Sequence, residues 1–197
     1  PTASGWYARV TARLGAALSH RIGPMGVVDA AAGDGTFLAA LWRARDPGWL
    51  GPVVAVERSP AMRSRLVETT RAAGAAVRVV GAVEEATVPG PALLHASELY
   101  DALPVHRVRC TGDGVEELWV VPGDGGLGLS ARPPSPEVVA YLEGHGVTLE
   151  PGQVAEDNLG AEPVHRRLLA ACDGDGVCLV LDYGYPARRL YDPRGRR

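Results

Sequence analysis

Two short apolar runs near the start of the chain each end in an acidic side chain. Val27 and Val28 are followed by Asp29, and residues 53–56 are followed by Glu57. A continuous apolar run of this length is typical of a buried strand in a parallel sheet. Ligands bind at the carboxyl ends of the strands in such sheets, so both carboxylates are candidates to contact a ligand. Glu57 is placed where nucleotide-binding folds use an acid to accept hydrogen bonds from ribose hydroxyls.

A turn of small residues, Ala-Ala-Ala-Gly-Asp-Gly, connects Asp29 to a helical pattern that begins at Thr36. Small residues allow a ligand to lie against the bare backbone, where a Cβ atom would collide. Strand, small-residue turn and helix together form the opening of a doubly wound α/β nucleotide-binding fold. We therefore expect Ala31, Gly33 and Gly35 to contact a cofactor.

The residues of the turn also indicate which cofactor it binds. The dinucleotide-binding pattern lacks a glycine in either alignment: Ala31 holds its first position, or, with Gly33 placed first, Leu38 holds its third. The chain contains no lysine, which the phosphate-binding Walker loop requires. The carboxylate of Asp29 would repel a pyrophosphate group. S-adenosylmethionine (SAM) has no phosphate and carries a sulfonium and an ammonium group, so the sequence predicts a SAM site that includes Asp29 and Glu57.

A third apolar run, residues 92–96, is followed by Ser97, Glu98 and Asp101. These side chains would lie at the same edge of the sheet as the predicted SAM site. We assign Ser97 to the cofactor and the two carboxylates to catalysis, because a pair of carboxylates can hold a guanidinium group through paired hydrogen bonds. In the alternative interpretation, Asp101 caps the next helix and Glu98 faces solvent.

Strand and helix patterns alternate through the first hundred residues and return near the end of the chain. An amphipathic helix is expected over residues 6–18, with Trp6 and Val10 on its apolar face. The pair Ser59-Pro60 predicts the start of another helix, and residues 177–181 predict a further strand. This alternation predicts an α/β fold with a Rossmann-like parallel sheet and helices on both of its faces.

The pattern changes after Pro104. Three strand-like runs follow and are separated by Gly-Asp-Gly and Gly-Asp-Gly-Gly turns: residues 106–110, 115–121 and 127–131. Such turns are typical of antiparallel hairpins. We therefore predict a β-rich insertion over residues 105–159, on the substrate or partner side of a SAM-binding domain formed by residues 1–104 and 160–197. The arginine-rich tail is expected to be loosely ordered.

The composition argues against several other classes of protein. The net charge of −3 gives no reason to expect binding to nucleic acid or to a membrane surface. No apolar run is long enough to span a bilayer. Three widely spaced cysteines argue against a disulfide framework and favour a reducing, cytoplasmic location. The histidines lack the spacing of metal ligands, so they are expected on the surface or as hydrogen-bonded core residues, with no metal site. The oligomeric state is left open.

Four blocks of the chain resemble successive blocks of the MidA-like family (the DUF185 group) of SAM-dependent methyltransferases. They read VVDAAAGDGTFLAAL, VVAVERSPAMRSR, ASELYDALPVHR and CLVLDYGYPARRLYDP. The Asp-Ala-Leu-Pro-Val and Asp-Tyr-Gly strings are the most distinctive parts of the match. The sequence departs from the family at Ala31, where the family has glycine, and at Ser97, where it usually has asparagine.

The resemblance implies a class I methyltransferase sheet that uses SAM. Mitochondrial members of the family are regarded as protein arginine methyltransferases that act on a respiratory complex I subunit. By analogy, the acceptor is expected to be an arginine of a partner protein, oriented by Glu98 and Asp101. A complete class I sheet adds a final antiparallel pair, strands six and seven, which we expect to be missing here.

Two other functions are compatible with the sequence. A catalytically silent, SAM-binding assembly factor could hold a partner protein through the β-rich insertion, and the altered loop residues and missing final strands favour it. A dinucleotide-dependent oxidoreductase is a weaker alternative because the expected third glycine is absent.

Overall fold

A computed structural model describes residues 3–46 and 48–193 of the chain. They form helices and strands in this order: α1 Ala3–Ile22, β1 Met25–Ala30, α2 Thr36–Ala44, β2 Leu50–Val56, α3 Pro60–Ala72, β3 Val77–Val80, β4 Ala92–Ser97, β5 His106–Thr111, β6 Gly114–Gly123, β7 Gly126–Arg132, α4 Pro136–Gly144, β8 Val154–Asp157, α5 Ala161–Leu169, β9 Gly176–Leu181 and α6 Ala187–Leu190. A short 3-10 turn, Val83–Glu85, lies between β3 and β4.

The chain divides into two compact units. The first contains the residues up to Leu99 together with Val164–Asp182, and the second contains Tyr100–Pro163 together with the residues from Tyr183 onward. Each unit has its own sheet. The predicted class, an α/β fold with a parallel sheet and a separate antiparallel sheet, is confirmed.

The first unit is organised around a parallel sheet with the strand order β3-β2-β1-β4-β9. Its central strand, β1, is buried along its whole length, as the continuous apolar runs predict. Ala30 at the end of β1 pairs with Val56 on one side and with Ala96 on the other. The carboxyl ends of three neighbouring strands are therefore level, which brings the residues that follow them to one edge of the sheet.

Helix α3 begins as its sequence predicts. The hydroxyl of Ser59 accepts a hydrogen bond from the backbone N–H of Met62 at 3.4 Å, and Pro60 occupies the first turn, where its missing N–H costs nothing. None of the helices in the described ranges is long and apolar enough to cross a membrane.

Helix α1 is longer than predicted, and the prediction of its buried face was wrong. Trp6 is 65% exposed and Val10 is 44% exposed, whereas the face that packs into the core carries Ala8, Ala12 and Gly15. The reason is steric, since a Cβ atom added to Gly15 would collide with the indole ring of Trp49, which is itself buried. The helix therefore approaches the core through its smallest side chains.

Gly15→Ala is accordingly expected to lower the free energy of unfolding by about 1–3 kcal/mol, the usual cost of overpacking a core. The collision should exceed the gain of about 1 kcal/mol that alanine normally brings to a helix. Chemical denaturation measures the change. Gly5→Ala in the same helix is the matched control, because the nearest atom to its added Cβ is 3.8 Å away. Equal stabilities of the two variants would contradict the packing assigned to α1.

The second unit contains an antiparallel sheet with the strand order β7-β6-β5-β8. The predicted hairpins are present, but the sequence analysis missed β8, a short strand with only four residues. The expectation of a loosely ordered tail was wrong for α6 and Tyr191. The side chain of Tyr191 is buried, and its hydroxyl donates a hydrogen bond to Asp157 Oδ1 at 3.1 Å. Residues 194–197 of that tail lie outside the described residues.

Candidate active site

The first unit gathers acidic residues at the carboxyl ends of its parallel strands. Asp29 is the penultimate residue of β1, while Glu57 follows β2, Glu98 follows β4 and Asp182 follows β9. The level ends of the strands bring these acids to one edge of the sheet. An edge of this charge favours a cationic ligand and disfavours a pyrophosphate.

The loop after β1 turns through three residues of left-handed backbone conformation. The φ angles are 64° at Ala31, 57° at Gly33 and 79° at Gly35. A Cβ atom on Gly35 would lie 3.0 Å from the Leu66 side chain and 3.2 Å from its backbone, so glycine is needed there for packing as well as for φ. In the described part of the chain, no heavy atom outside residues 32–34 lies within 4 Å of the Cβ position at Gly33. The loop is therefore tightly packed at Gly35 and open at Gly33, where a ligand could approach the backbone.

Ala31 holds a strained conformation, because a left-handed residue with a Cβ atom costs roughly 1–2 kcal/mol. Ala31→Gly is therefore expected to raise the free energy of unfolding by up to about 1 kcal/mol after the entropy cost of glycine is subtracted. Affinity for the cofactor should stay the same or increase. Ala73→Gly is the matched control, since Ala73 has an ordinary φ of −87° and should lose stability. Weaker cofactor binding by Ala31→Gly would show that the alanine is adapted to this loop.

Glu57 connects the loop after β1 to the start of α3. Its Oε2 accepts a hydrogen bond from the Gly33 backbone N–H at 3.0 Å, and its Oε1 accepts one from the Ser59 N–H at 2.7 Å. A carboxylate offers about four acceptor positions, so these two bonds leave others for a ligand. The hydrogen bonds hold the carboxylate directly beside the open part of the loop.

Glu98 is the second residue in the described chain, besides Ala31, that has a positive φ without being glycine. Its φ is 52°, its side chain is exposed, and its backbone N–H donates to the Leu181 carbonyl at 2.8 Å. Residues held in this sparsely populated conformation cluster at functional sites. Ser97 is half-buried at the end of β4, which leaves its predicted contact with the cofactor a prediction.

Asp101 lies in an exposed turn of the second unit, whereas Glu98 belongs to the first. No helix lies between β4 and β5, so the alternative in which Asp101 caps the next helix is wrong. The alternative for Glu98, that it faces solvent, agrees with its exposure. The catalytic roles predicted for the two acids remain predictions.

Asp29 has a partner that the sequence analysis did not foresee. Its Oδ1 lies 2.6 Å from Nδ1 of His95, and both residues are buried. His95 Nε2 lies 2.9 Å from the hydroxyl of Tyr7 on α1. The expectation that histidines in the core are hydrogen-bonded is thus met at His95. A direct contact between Asp29 and a cofactor remains a prediction.

A signal for this contact was present in the sequence. A histidine within the apolar run Ala-Leu-Leu-His-Ala and an aspartate within Val-Val-Asp-Ala each need a partner if both strands are buried. The two strands are neighbours, and Asp29 pairs with His95 in the parallel register. Within residues 3–46 and 48–193, no group of three or more His, Cys, Asp or Glu side chains is arranged to hold a metal ion.

An α/β unit with a small-residue loop after β1 and an acid after β2 defines a nucleotide-binding class of protein. A family model described as "Putative S-adenosyl-L-methionine-dependent methyltransferase" matches residues 5–196 of the chain. The chain belongs to this family. The prediction that SAM is the cofactor is confirmed, because the description of the family names S-adenosyl-L-methionine. Comparison with curated proteins gives no match.

Two solved structures from Burkholderia thailandensis are similar to the chain over nearly its whole length. One is a COG1565 superfamily protein with 27% sequence identity and a TM-score of 0.82, and the match covers 97% of this chain and 52% of that one. The other is a COG1565 superfamily member bound to S-adenosyl-homocysteine (SAH), with 28% identity, a TM-score of 0.78 and coverage of 95% and 49%. The chain therefore spans about half the length of these two relatives.

Proposed function

We propose that the protein binds SAM at the acidic edge of its parallel sheet and transfers the methyl group to a nitrogen of a partner protein. The observation that carries the proposal is the position of Glu57, whose carboxylate is bonded to the backbone of Gly33 where the loop is open. A cofactor that lies against Gly33 would bring its ribose to the remaining acceptor positions of Glu57.

The charge of the site fits this cofactor. SAM carries a positive sulfonium and a positive ammonium group, which the acids at the ends of β1, β2 and β4 would stabilise. When bound, SAM supplies an activated methyl group, so the protein mainly has to place the acceptor in line with the methyl-sulfur bond, at a distance of about 3–3.5 Å. A dinucleotide would instead bring phosphates to an edge that carries negative charge.

The acceptor that we propose is an arginine side chain, oriented by Glu98. The carboxylate of Glu98 is exposed and held at a strained backbone position, which suits a residue that must meet an external group in a fixed direction. A carboxylate can bind a guanidinium group through two hydrogen bonds. The resemblance to MidA-like methyltransferases supports this acceptor, and it suggests Asp101 as a second acid with the same role. The widely spaced cysteines support a cytoplasmic location for the enzyme.

One observation favours the alternative function of a catalytically silent, SAM-binding assembly factor. The hairpin of β6 and β7 in the second unit exposes large apolar side chains on both faces, with Val120, Leu127 and Leu129 on one face and Trp119 on the other. Exposed apolar surface of this kind is typical of a surface that binds another protein. Stable binding of a partner without methyl transfer would be the expected behaviour of such a factor.

Incubation of the protein with a cell lysate and methyl-labelled SAM, followed by mass spectrometry, separates the two functions. The proposal predicts a labelled arginine in a lysate protein, and no label when the Glu98→Gln variant replaces the wild type. Label on another residue type would overturn the arginine acceptor. Binding of SAH without any labelled product would favour the silent factor.

A further inference from the structure

His95 contacts both residues that flank the loop after β1. Asp29, immediately before the loop, is hydrogen-bonded to His95 Nδ1 at 2.6 Å. Phe37, in the first turn of α2 immediately after the loop, stacks on the imidazole ring with a centroid distance of 4.2 Å and an interplanar angle of 21°. Residues 30–36, which contain the loop and the residue on either side of it, therefore run between two contacts with the same side chain on the neighbouring strand β4.

The hydrogen bonds determine which nitrogen of His95 carries the proton. An ionised Asp29 can only accept, so Nδ1 of His95 donates to it. In the neutral imidazole, Nε2 is then the acceptor for the hydroxyl of Tyr7, 2.9 Å away. Burial raises the pKa of Tyr7, which keeps its phenol in the protonated form that can donate. The chain Tyr7–His95–Asp29 thus has one consistent direction of donation.

Aromatic packing adds a second constraint on the same histidine. The ring of Tyr7 lies 5.4 Å from the ring of Phe37 and 5.7 Å from that of His95, measured between centroids. His95 is only 2% exposed. A side chain enclosed in this way, with both nitrogens bonded, has little freedom to move. Because His95 is fixed on β4, its contacts also constrain the position of the loop relative to β4.

We propose that His95 is a positioning residue for the cofactor loop, which it holds at both ends through Asp29 and Phe37. This inference rests on the proposed function, in which the loop binds SAM, but it assigns no contact between His95 and the cofactor. The backbone of Gly33 and Gly35 must hold one conformation to receive a ligand, and His95 fixes the two points between which that backbone runs. Loss of the histidine should loosen the loop and weaken cofactor binding.

Three variants separate the contacts of His95. His95→Phe keeps an aromatic ring for stacking on Phe37 but removes both hydrogen bonds. His95→Asn keeps a donor near the position of Nδ1 and so retains the bond to Asp29. Tyr7→Phe removes only the outer hydrogen bond. His20→Phe, at an exposed histidine of α1, is the matched control.

Two measurements show whether the loop keeps its conformation in these variants. Calorimetry with SAH gives cofactor affinity. Amide hydrogen exchange in the unliganded protein reports on the loop directly, because the N–H of Gly33 is bonded to Glu57 and that of Gly35 to the carbonyl of Ala32 at 3.1 Å. The amides of β2 and β3 serve as the internal reference for global stability.

His95→Phe is expected to lower SAH affinity about tenfold, because a loop that has lost the hydrogen bond between His95 and the charged Asp29 must be ordered when SAH binds. It should also accelerate exchange at Gly33 and Gly35 more than in β2 and β3. His95→Asn and Tyr7→Phe should lose about threefold or less, and His20→Phe should match the wild type. If His95→Phe does not fold, accelerated loop exchange in His95→Asn supports the same role.

Two results would overturn the inference. One is SAH affinity within twofold of the wild type together with unchanged loop exchange. The other is an equal acceleration of exchange in the loop and the strands, which would mean that His95 only stabilises the unit. If the wild type itself fails to bind SAH, the proposed function fails, and the exchange of Gly33 and Gly35 in the unliganded variants still decides whether His95 positions the loop.

Discussion

Replacement of Glu57 by alanine is expected to lower the affinity for SAH at least tenfold. The loss of one charged hydrogen-bonding partner at a partly buried site is worth roughly 1.5–3 kcal/mol, or about ten- to a hundredfold in affinity. The substitution also removes the two hydrogen bonds that the Glu57 carboxylate accepts from backbone N–H groups, one from Gly33 at 3.0 Å and one from Ser59 at 2.7 Å. Calorimetry with SAH measures the change.

Two further variants make this result specific. Glu57→Gln keeps one carbonyl oxygen as an acceptor and should lose less affinity than Glu57→Ala. Glu68→Ala removes an exposed carboxylate from α3 in the same unit and should bind like the wild type. Unchanged affinity in Glu57→Ala would refute the ribose assignment. An equal loss in Glu68→Ala would mean that only the overall charge matters.

The second large effect is expected at Glu98. Glu98→Gln should reduce methyl transfer at least a hundredfold while SAH affinity stays within about threefold of the wild type. The amide keeps the shape of the side chain but cannot form the charged pair with a guanidinium group. The sulfonium of SAM would feel the lost charge only weakly because Glu98 is exposed to screening solvent. Incorporation of labelled methyl groups and calorimetry provide the two measurements.

The Glu98→Gly variant distinguishes a catalytic role of Glu98 from a purely structural one. The variant removes the carboxylate and also relieves the strain of a left-handed residue, whose φ is 52°. We expect the protein to gain up to about 1 kcal/mol in stability and to lose methyl transfer as Glu98→Gln does.

Asp101→Asn tests the second predicted acid by the same measurements. Normal methyl transfer in all three variants would show that these acids are not catalytic, and lost SAH binding in Glu98→Gln would assign Glu98 to the cofactor.

The fold was largely predictable because its signals are local. Apolar runs such as residues 53–56 identify buried strands, and Ser59 with Pro60 identifies the start of α3, each without knowledge of the remaining chain. The family assignment is also carried by contiguous strings of residues. Features that depend on distant contacts were missed. The buried face of α1 is determined by the fit of Gly15 against Trp49, which lies 34 positions further along the chain (49 − 15).

The place of the candidate site residues in the fold was predictable, but their backbone conformations and contacts were not. Alternation of strands and helices places Glu57 and Glu98 at one edge of the sheet, and the structure has them there. The backbone conformations of Ala31 and Glu98 could not be predicted, because φ at a non-glycine residue depends on the surrounding structure. The partner of Asp29 required the register between β1 and β4, which only the three-dimensional structure supplies.

Calorimetric titration of the protein with SAH and, separately, with NADH tests the central claim most directly. An acidic edge beside a loop that is open at Gly33 predicts one SAH bound per chain, with heat that disappears when SAM already saturates the site. NADH should give no heat, since its pyrophosphate would face Asp29, Glu57 and Glu98. Absence of binding by SAH, or binding of NADH at the same site, would contradict the account.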